Sequence, residues 1–157
     1  MERDDERLKM LMEARRGFGI RLFARLADHY RDRNTKAIQE AGFPDYVHAH
    51  TQVLFNLELE GSRVTAIAER ARVTAQAIGK QIRDLEAKGY VERRRDPNDG
   101  RAQLISLTDK GLSFFETAVR IIEGHEREMA EIIGPLEYAL MRERVRAIVE
   151  KVDPQGF

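Results

Sequence analysis

The sequence predicts a mainly α-helical chain interrupted by one small β-hairpin. Two observations carry that reading. Apolar residues recur at three- and four-residue steps over most of the 157 residues, the period of helices with one buried face. One stretch departs from it: ERRRDPNDGRAQLISLTDKG, Glu92 to Gly111, in which three arginines lead into the strong turn formers Asp96 to Gly100 and an apolar–polar alternation follows. Composition agrees, since 42% apolar and 34% charged residues suit a soluble, helix-rich protein forming a single domain over 1–157.

The first helix is expected from about Asp5 to Arg31, with Leu8, Leu11, Phe18, Leu22, Leu26 and Tyr30 on one stripe. Gly17 and Gly19 fall inside it, each costing about 1 kcal/mol relative to alanine, so a bend or a close packing contact is expected there. Gly42 to Asp45 breaks the chain, and a second helix is expected from about Tyr46 to Leu59. Gly61 ends it, and Ser62 is placed to cap the next. Residues 64–71 read as a short helix and Arg72-Val73 as a tight turn. Thr74 then N-caps a helix to about Lys88, with Ile78, Ile82 and Leu85 inward and Gly89 as its stop.

The strands of the hairpin are Tyr90–Arg95 and Arg101–Leu107. Two strands alone are marginal in water, so they need the helices beneath them. Thr108-Asp109 caps a helix to about Ile133, roughly 37 Å long at 1.5 Å per residue. Its stripe is Phe114, Ala118, Ile121, Ile122, His125, Met129 and Ile132. Gly134-Pro135 breaks it, and a last helix runs from Leu136 to about Val152. The outer helical regions, 1–41 and 112–157, carry stripes too long for the small lobe at 46–111 to bury. Packing against a second copy is the economical solution, and an intramolecular bundle of the outer helices is the alternative.

Several chemistries are set aside by residue content. There is no cysteine, so disulfides, thiolate metal sites and cysteine redox sensing are excluded. No apolar run approaches the ~20 residues of a membrane span, and the start MERDDERLK is too charged for a signal peptide, so no membrane partner is expected and a cytoplasmic location is. No glycine-rich phosphate loop, nucleophile elbow or helical His-Glu-x-x-His occurs, so neither an enzyme nor a cofactor is expected. His48 and His50 stand at i and i+2, which point apart on a helix, and no third ligand follows, so no metal is expected either. His50 reads as a satisfied structural histidine, with an effector-cavity role as the alternative. His125, on an apolar stripe, reads as core or interface.

The net charge is zero, but it is unevenly spread. Residues 62–101 hold ten Lys or Arg against six Asp or Glu, while 41–61 and 102–157 are each net negative. A basic centre of this kind is the footprint of a nucleic-acid contact. Helix, turn, helix and basic hairpin form the logic of a winged helix-turn-helix, whose second helix presents its N-terminal residues to base edges. The outward positions here are Thr74, Gln76, Ala77, Lys80 and Gln81. Glutamine pairs with adenine, lysine reaches guanine, alanine meets a thymine methyl, and Thr74 with the helix N-terminal amides holds a phosphate. Arg93, Arg94 and Arg95 flank the DNA backbone, and Arg101 enters a narrow minor groove. Asp99 is placed to hold the Arg101 guanidinium, or to bond its own backbone as turn aspartates do.

The segment from Val64 to Gly111 resembles the MarR family of transcriptional regulators. The resemblance rests on Ile67-Ala68, Val73-Thr74, Leu85-Glu86-x-x-Gly89-Tyr90-Val91, the wing run Asp96-Pro97-x-Asp99-x-Arg101, and Leu107-Thr108-x-x-Gly111. It covers about residues 46–111 closely. It implies a mainly α fold with a β-hairpin wing and N- and C-terminal dimerisation helices. It also implies a homodimer on a palindromic operator in double-stranded DNA, acting as a repressor and released by a small aromatic or anionic effector. Two positions depart from the pattern, Ala77 and Gly79 in the recognition helix, so the operator does not follow from relatives. The alternative function is a winged-helix dimer that contacts other proteins, its wing basic only by composition.

Overall fold

The structure is a computed structural model that describes residues 2–154. Residues 1 and 155–157, which belong to the expected outer helical regions, lie outside the described residues. Helices α1 (Glu2–Gly17) and α2 (Gly19–Glu40) come first, and a 3₁₀ turn (His48–His50) leads into the short α3 (Thr51–Leu54). Then follow α4 (Val64–Ala71), α5 (Ala75–Ala87), the strands β1 (Val91–Asp96) and β2 (Asp99–Leu107), and the long helices α6 (Asp109–Ile133) and α7 (Pro135–Val152).

The core lies where the helix–turn–helix meets the base of the hairpin. Val53, Leu54, Ile67, Ile78, Ile82, Leu85, Tyr90, Ile105 and Phe114 are all fully buried. Phe114, from the start of α6, sits among Phe43, Tyr46 and Tyr90 at ring distances of 4.9–5.6 Å. This aromatic cluster fixes α6 to the lobe. Thr108 caps α6 by accepting from the Gly111 amide at 3.1 Å, and its own hydroxyl donates to the Gly89 carbonyl at 2.6 Å. A Cβ on Gly111 would lie 2.1 Å from the Tyr90 carbonyl oxygen, so only glycine lets helix and hairpin approach this closely.

The hairpin gains support from a third segment. Ser62 bridges Ile105 in both directions, N to O at 3.0 Å and O to N at 2.9 Å. Ser62 is therefore not the cap of α4: Arg63 holds that position, without a side-chain cap bond. The Ser62 hydroxyl instead accepts from the Glu58 amide and from Arg70.

Two helix expectations are corrected. The first helix is two: Phe18, between Gly17 and Gly19, has extended backbone (φ −65°, ψ 123°), and α2 then continues to Glu40. The second helix stops at Leu54 rather than Leu59. Arg70 of α4 donates to the Asn56 carbonyl at 3.1 and 2.7 Å and to Glu58, and that guanidinium takes the carbonyl a continuing helix would need. The strands also run slightly further toward the tip than expected, to Asp96 and from Asp99.

Candidate nucleic-acid interface

Helix α5 presents one face outward and one inward, as its spacing requires. Ile78, Ile82 and Leu85 are fully buried, while Thr74, Gln76, Ala77 and Lys80 are exposed. The turn before it passes through Arg72 in the left-handed region (φ 55°), and Thr74 then accepts from the Ala77 amide at 3.2 Å. Gln81 departs from expectation. It is half-buried, its amide nitrogen donates to Gln52 on α3 at 2.9 Å, and its carbonyl oxygen is buried without a partner. It faces α3 rather than solvent. A residue one turn past Ala77 drifts toward the packed side as the helix rotates.

The wing divides the arginines between two faces. Strand pairing sets Arg93 opposite Ile105, Arg94 opposite Leu104 and Arg95 opposite Gln103. Since side chains alternate along a strand, Arg93 and Arg95 share the face that overhangs the helices, and Arg94 points away. Arg93 is tied to Glu86 of α5 at 2.9 Å, and Arg94 to Glu92 at 2.6 Å. Neither Arg95 nor Arg101 has an ion-pair partner among the described residues. Arg63, Arg93, Arg95 and Arg101 line one groove of about 530 Å³, joined by Thr65 and Gln103. Four guanidinium groups thus line one concavity, Arg63 and Arg93 engaged by carboxylates and Arg95 and Arg101 left to lend it positive potential, which favours anions.

Asp99 does not hold the Arg101 guanidinium. Its carboxylate accepts the Arg101 backbone N–H at 3.1 Å, which is the turn chemistry read as the alternative, and accepts from Arg63 at 3.3 Å. Asp96 is the main partner of Arg63, taking its Nε at 3.0 Å and an Nη at 2.6 Å while capping the Asn98 amide at 2.9 Å. Arg63 beside it holds the Asp96 carboxyl below the usual range. Sequence reasoning misses Arg63. Its partner lies 33 residues away, and no local spacing signals that pairing.

The histidines lie elsewhere. His50 is 2% exposed, donates from Nε2 to Asp84 of α5 at 2.7 Å, and accepts the Val47 amide at Nδ1. Burial pushes its pKa down, against the pull of Asp84. Asp84 in turn is lowered by Lys88 and His50. This is the satisfied structural histidine. His125 bonds Asn34 at 2.7 Å beside the Tyr30 ring. These three residues line a cleft of about 280 Å³ between α2 and α6, with Phe23, Leu26 and Met129.

Comparison with known proteins gives this geometry relatives. Residues 48–102 match the model of the MarR family. The uncharacterized HTH-type transcriptional regulator YdgJ of Bacillus subtilis (strain 168) is 31% identical over 75 residues, 48% of this chain and 46% of YdgJ, so the match spans about half the length of that curated relative. Among solved structures, MepR, a transcription regulator of the Staphylococcus aureus multidrug efflux pump MepA, superposes with a TM-score of 0.67 at 17% identity, covering 87% of this chain and 99% of its own. A mutant of S. aureus MepR bound to oligodeoxyribonucleotide gives 0.56 at 22% identity over 87% and 99%. A basic hairpin folded against a capped, outward-facing helix thus coincides with a stretch, residues 48–102, that is similar to the MarR family, and the solved neighbours share the fold of the chain.

Proposed function

We propose that this chain is a transcriptional regulator that binds a palindromic operator in double-stranded DNA as a homodimer. The carrying observation is the juxtaposition of two surfaces. The exposed N-terminal turn of α5, with Thr74, Gln76, Ala77 and Lys80, lies in the same lobe as the groove of Arg63, Arg93, Arg95 and Arg101. One surface has the chemistry to read base edges and the other to hold phosphate. A structural neighbour solved with an oligodeoxyribonucleotide supports the same use of the fold.

The homodimer is supported by apolar side chains left open by the single chain. α7 has no buried residue, and Leu136, Leu140 and Ile148 on it are exposed, as are Leu8, Leu11, Phe18, Leu22 and Phe23 in the α1–α2 region. Repression, and release by a small effector, are part of the proposal. A neighbour, MepR, has been solved bound to ethidium bromide, and the cleft between α2 and α6 here is a place for an aromatic molecule.

Fluorescence anisotropy tests the central point. Labelled DNA from upstream of the gene itself is titrated against unrelated DNA of equal length. Tight binding to the first alone, weakened by ~1–3 kcal/mol in Arg101→Ala, is the expected result. Equal, weak and salt-insensitive binding to both would overturn the regulator reading, because phosphate contacts release counterions and so make affinity fall with salt.

A further inference from the structure

We propose that Arg63 is a positioning residue of the wing, whose ion pair with Asp96 sets where Arg101 is presented. The inference rests on the DNA-binding function above and gives Arg63, which lines the groove, a role other than holding phosphate. Arg63 stands at the N-cap of α4, where it makes no side-chain cap, whereas Thr74 and Thr108 cap α5 and α6. Its side chain reaches instead to the tip of the hairpin.

The tip needs such a hold. Asp96 pairs with Asp99 and Arg95 with Gln103, so Gly100, Arg101 and Ala102 bulge out with no ladder partner. Backbone pairing therefore leaves the segment carrying Arg101 undetermined. Arg63 reaches both ends of it. Its Nε and an Nη hold Asp96, the last residue of β1, and the same Nη reaches Asp99, whose other oxygen accepts the Arg101 N–H. Asp96 is 6% exposed, and its second oxygen caps the Asn98 amide. Without Arg63 that carboxylate is left buried and unpaired, which the hairpin relieves by moving.

The competing account is that Arg63 touches phosphate itself, since it lines the basic groove. The two accounts give opposite signs for Asp96→Asn. That change removes a negative charge beside a polyanion, so a wing fixed without the latch binds DNA as tightly or more tightly. A latched wing binds more weakly, by about five- to tenfold. The experiment measures operator affinity for wild type, Arg63→Gln, Asp96→Asn and the double variant, together with amide hydrogen exchange of residues 98–102 in the DNA-free protein.

The expected result is a loss of affinity in each single variant, no further loss in the double variant, and faster exchange at the tip with exchange in α5 unchanged. Asp96→Asn binding at or above wild-type affinity, or tip exchange unchanged in Arg63→Gln, would overturn the proposal. If the wild type itself shows no sequence-dependent binding, it is the DNA-binding reading that fails, and the exchange measurement still decides whether the latch exists.

Discussion

At the scale of single residues, the arginines of the wing are unequal. Arg94 faces away from the groove and is neutralised by Glu92, while Arg95 lies in the groove without an ion-pair partner among the described residues. Arg95→Ala is expected to lower the dependence of log affinity on log salt by about 0.9, one phosphate contact, and Arg94→Ala by much less. Equal effects on the salt slope would mean that the strand's two faces do not sort these charges. His50 makes a different prediction. Burial holds its pKa below the ordinary value of about 6.5, so the unfolded chain takes up the proton more readily than the folded one. The stabilisation is present above the unfolded pKa and is lost as pH falls below it. Protonation also takes the Nδ1 lone pair that accepts the Val47 amide. Thermal melts from about pH 7.5 to 5.5 should show falling stability with a shallower slope in His50→Gln, the remaining slope coming from His48 and His125, which burial also lowers. An unchanged slope would remove His50 from this role.

At the scale of elements, two glycines predict opposite outcomes. Gly111→Ala sets a Cβ against the Tyr90 carbonyl and should destabilise by about 2–3 kcal/mol, because backbone cannot give way as a side chain does. At Gly79 a Cβ would meet only the Arg83 guanidinium at 3.7 Å, so Gly79→Ala should stabilise α5 by up to ~1 kcal/mol. Urea denaturation of both variants checks the pair, and equal destabilisation would contradict it. The elements also divide by how legible they were in the sequence. α5 and α6 begin where their capping residues place them, because Thr74 and Thr108 act on their own backbone, Gly89 follows the end of α5, and α4 fills the span its apolar spacing gives without a side-chain cap. α3 ends early for a reason carried by Arg70, and Asp99 bonds Arg63 rather than the Arg101 guanidinium. Gln81 turns toward Gln52. These three depend on partners far along the chain, which spacing does not encode. Among the candidate contacts, the outward face of α5 was legible save for Gln81. The split of the wing into a groove side and a free side needed the strand register.

At the scale of the whole molecule, α1 and α7 expose stripes that a stable fold covers. Sedimentation equilibrium at micromolar concentration is expected to give about twice the 18.1 kDa chain mass. Leu140→Glu with Ile148→Glu should shift the protein toward the monomer while leaving the lobe's core residues, Ile78 and Ile105 among them, in place. A wild-type monomer would return the outer helices to an intramolecular role.

Helix α6 joins these scales. Its first turn is fastened to the hairpin through Thr108, Gly111 and Phe114, and its far end packs with α7. It is a rigid arm of 25 residues with the wing at one end. At 1.5 Å per residue, a tilt of about 5° displaces one end relative to the other by roughly 3 Å, close to the ~3.4 Å spacing of successive bases on a strand. A small angular adjustment among the outer helices would therefore move the wing by a distance comparable to one base step.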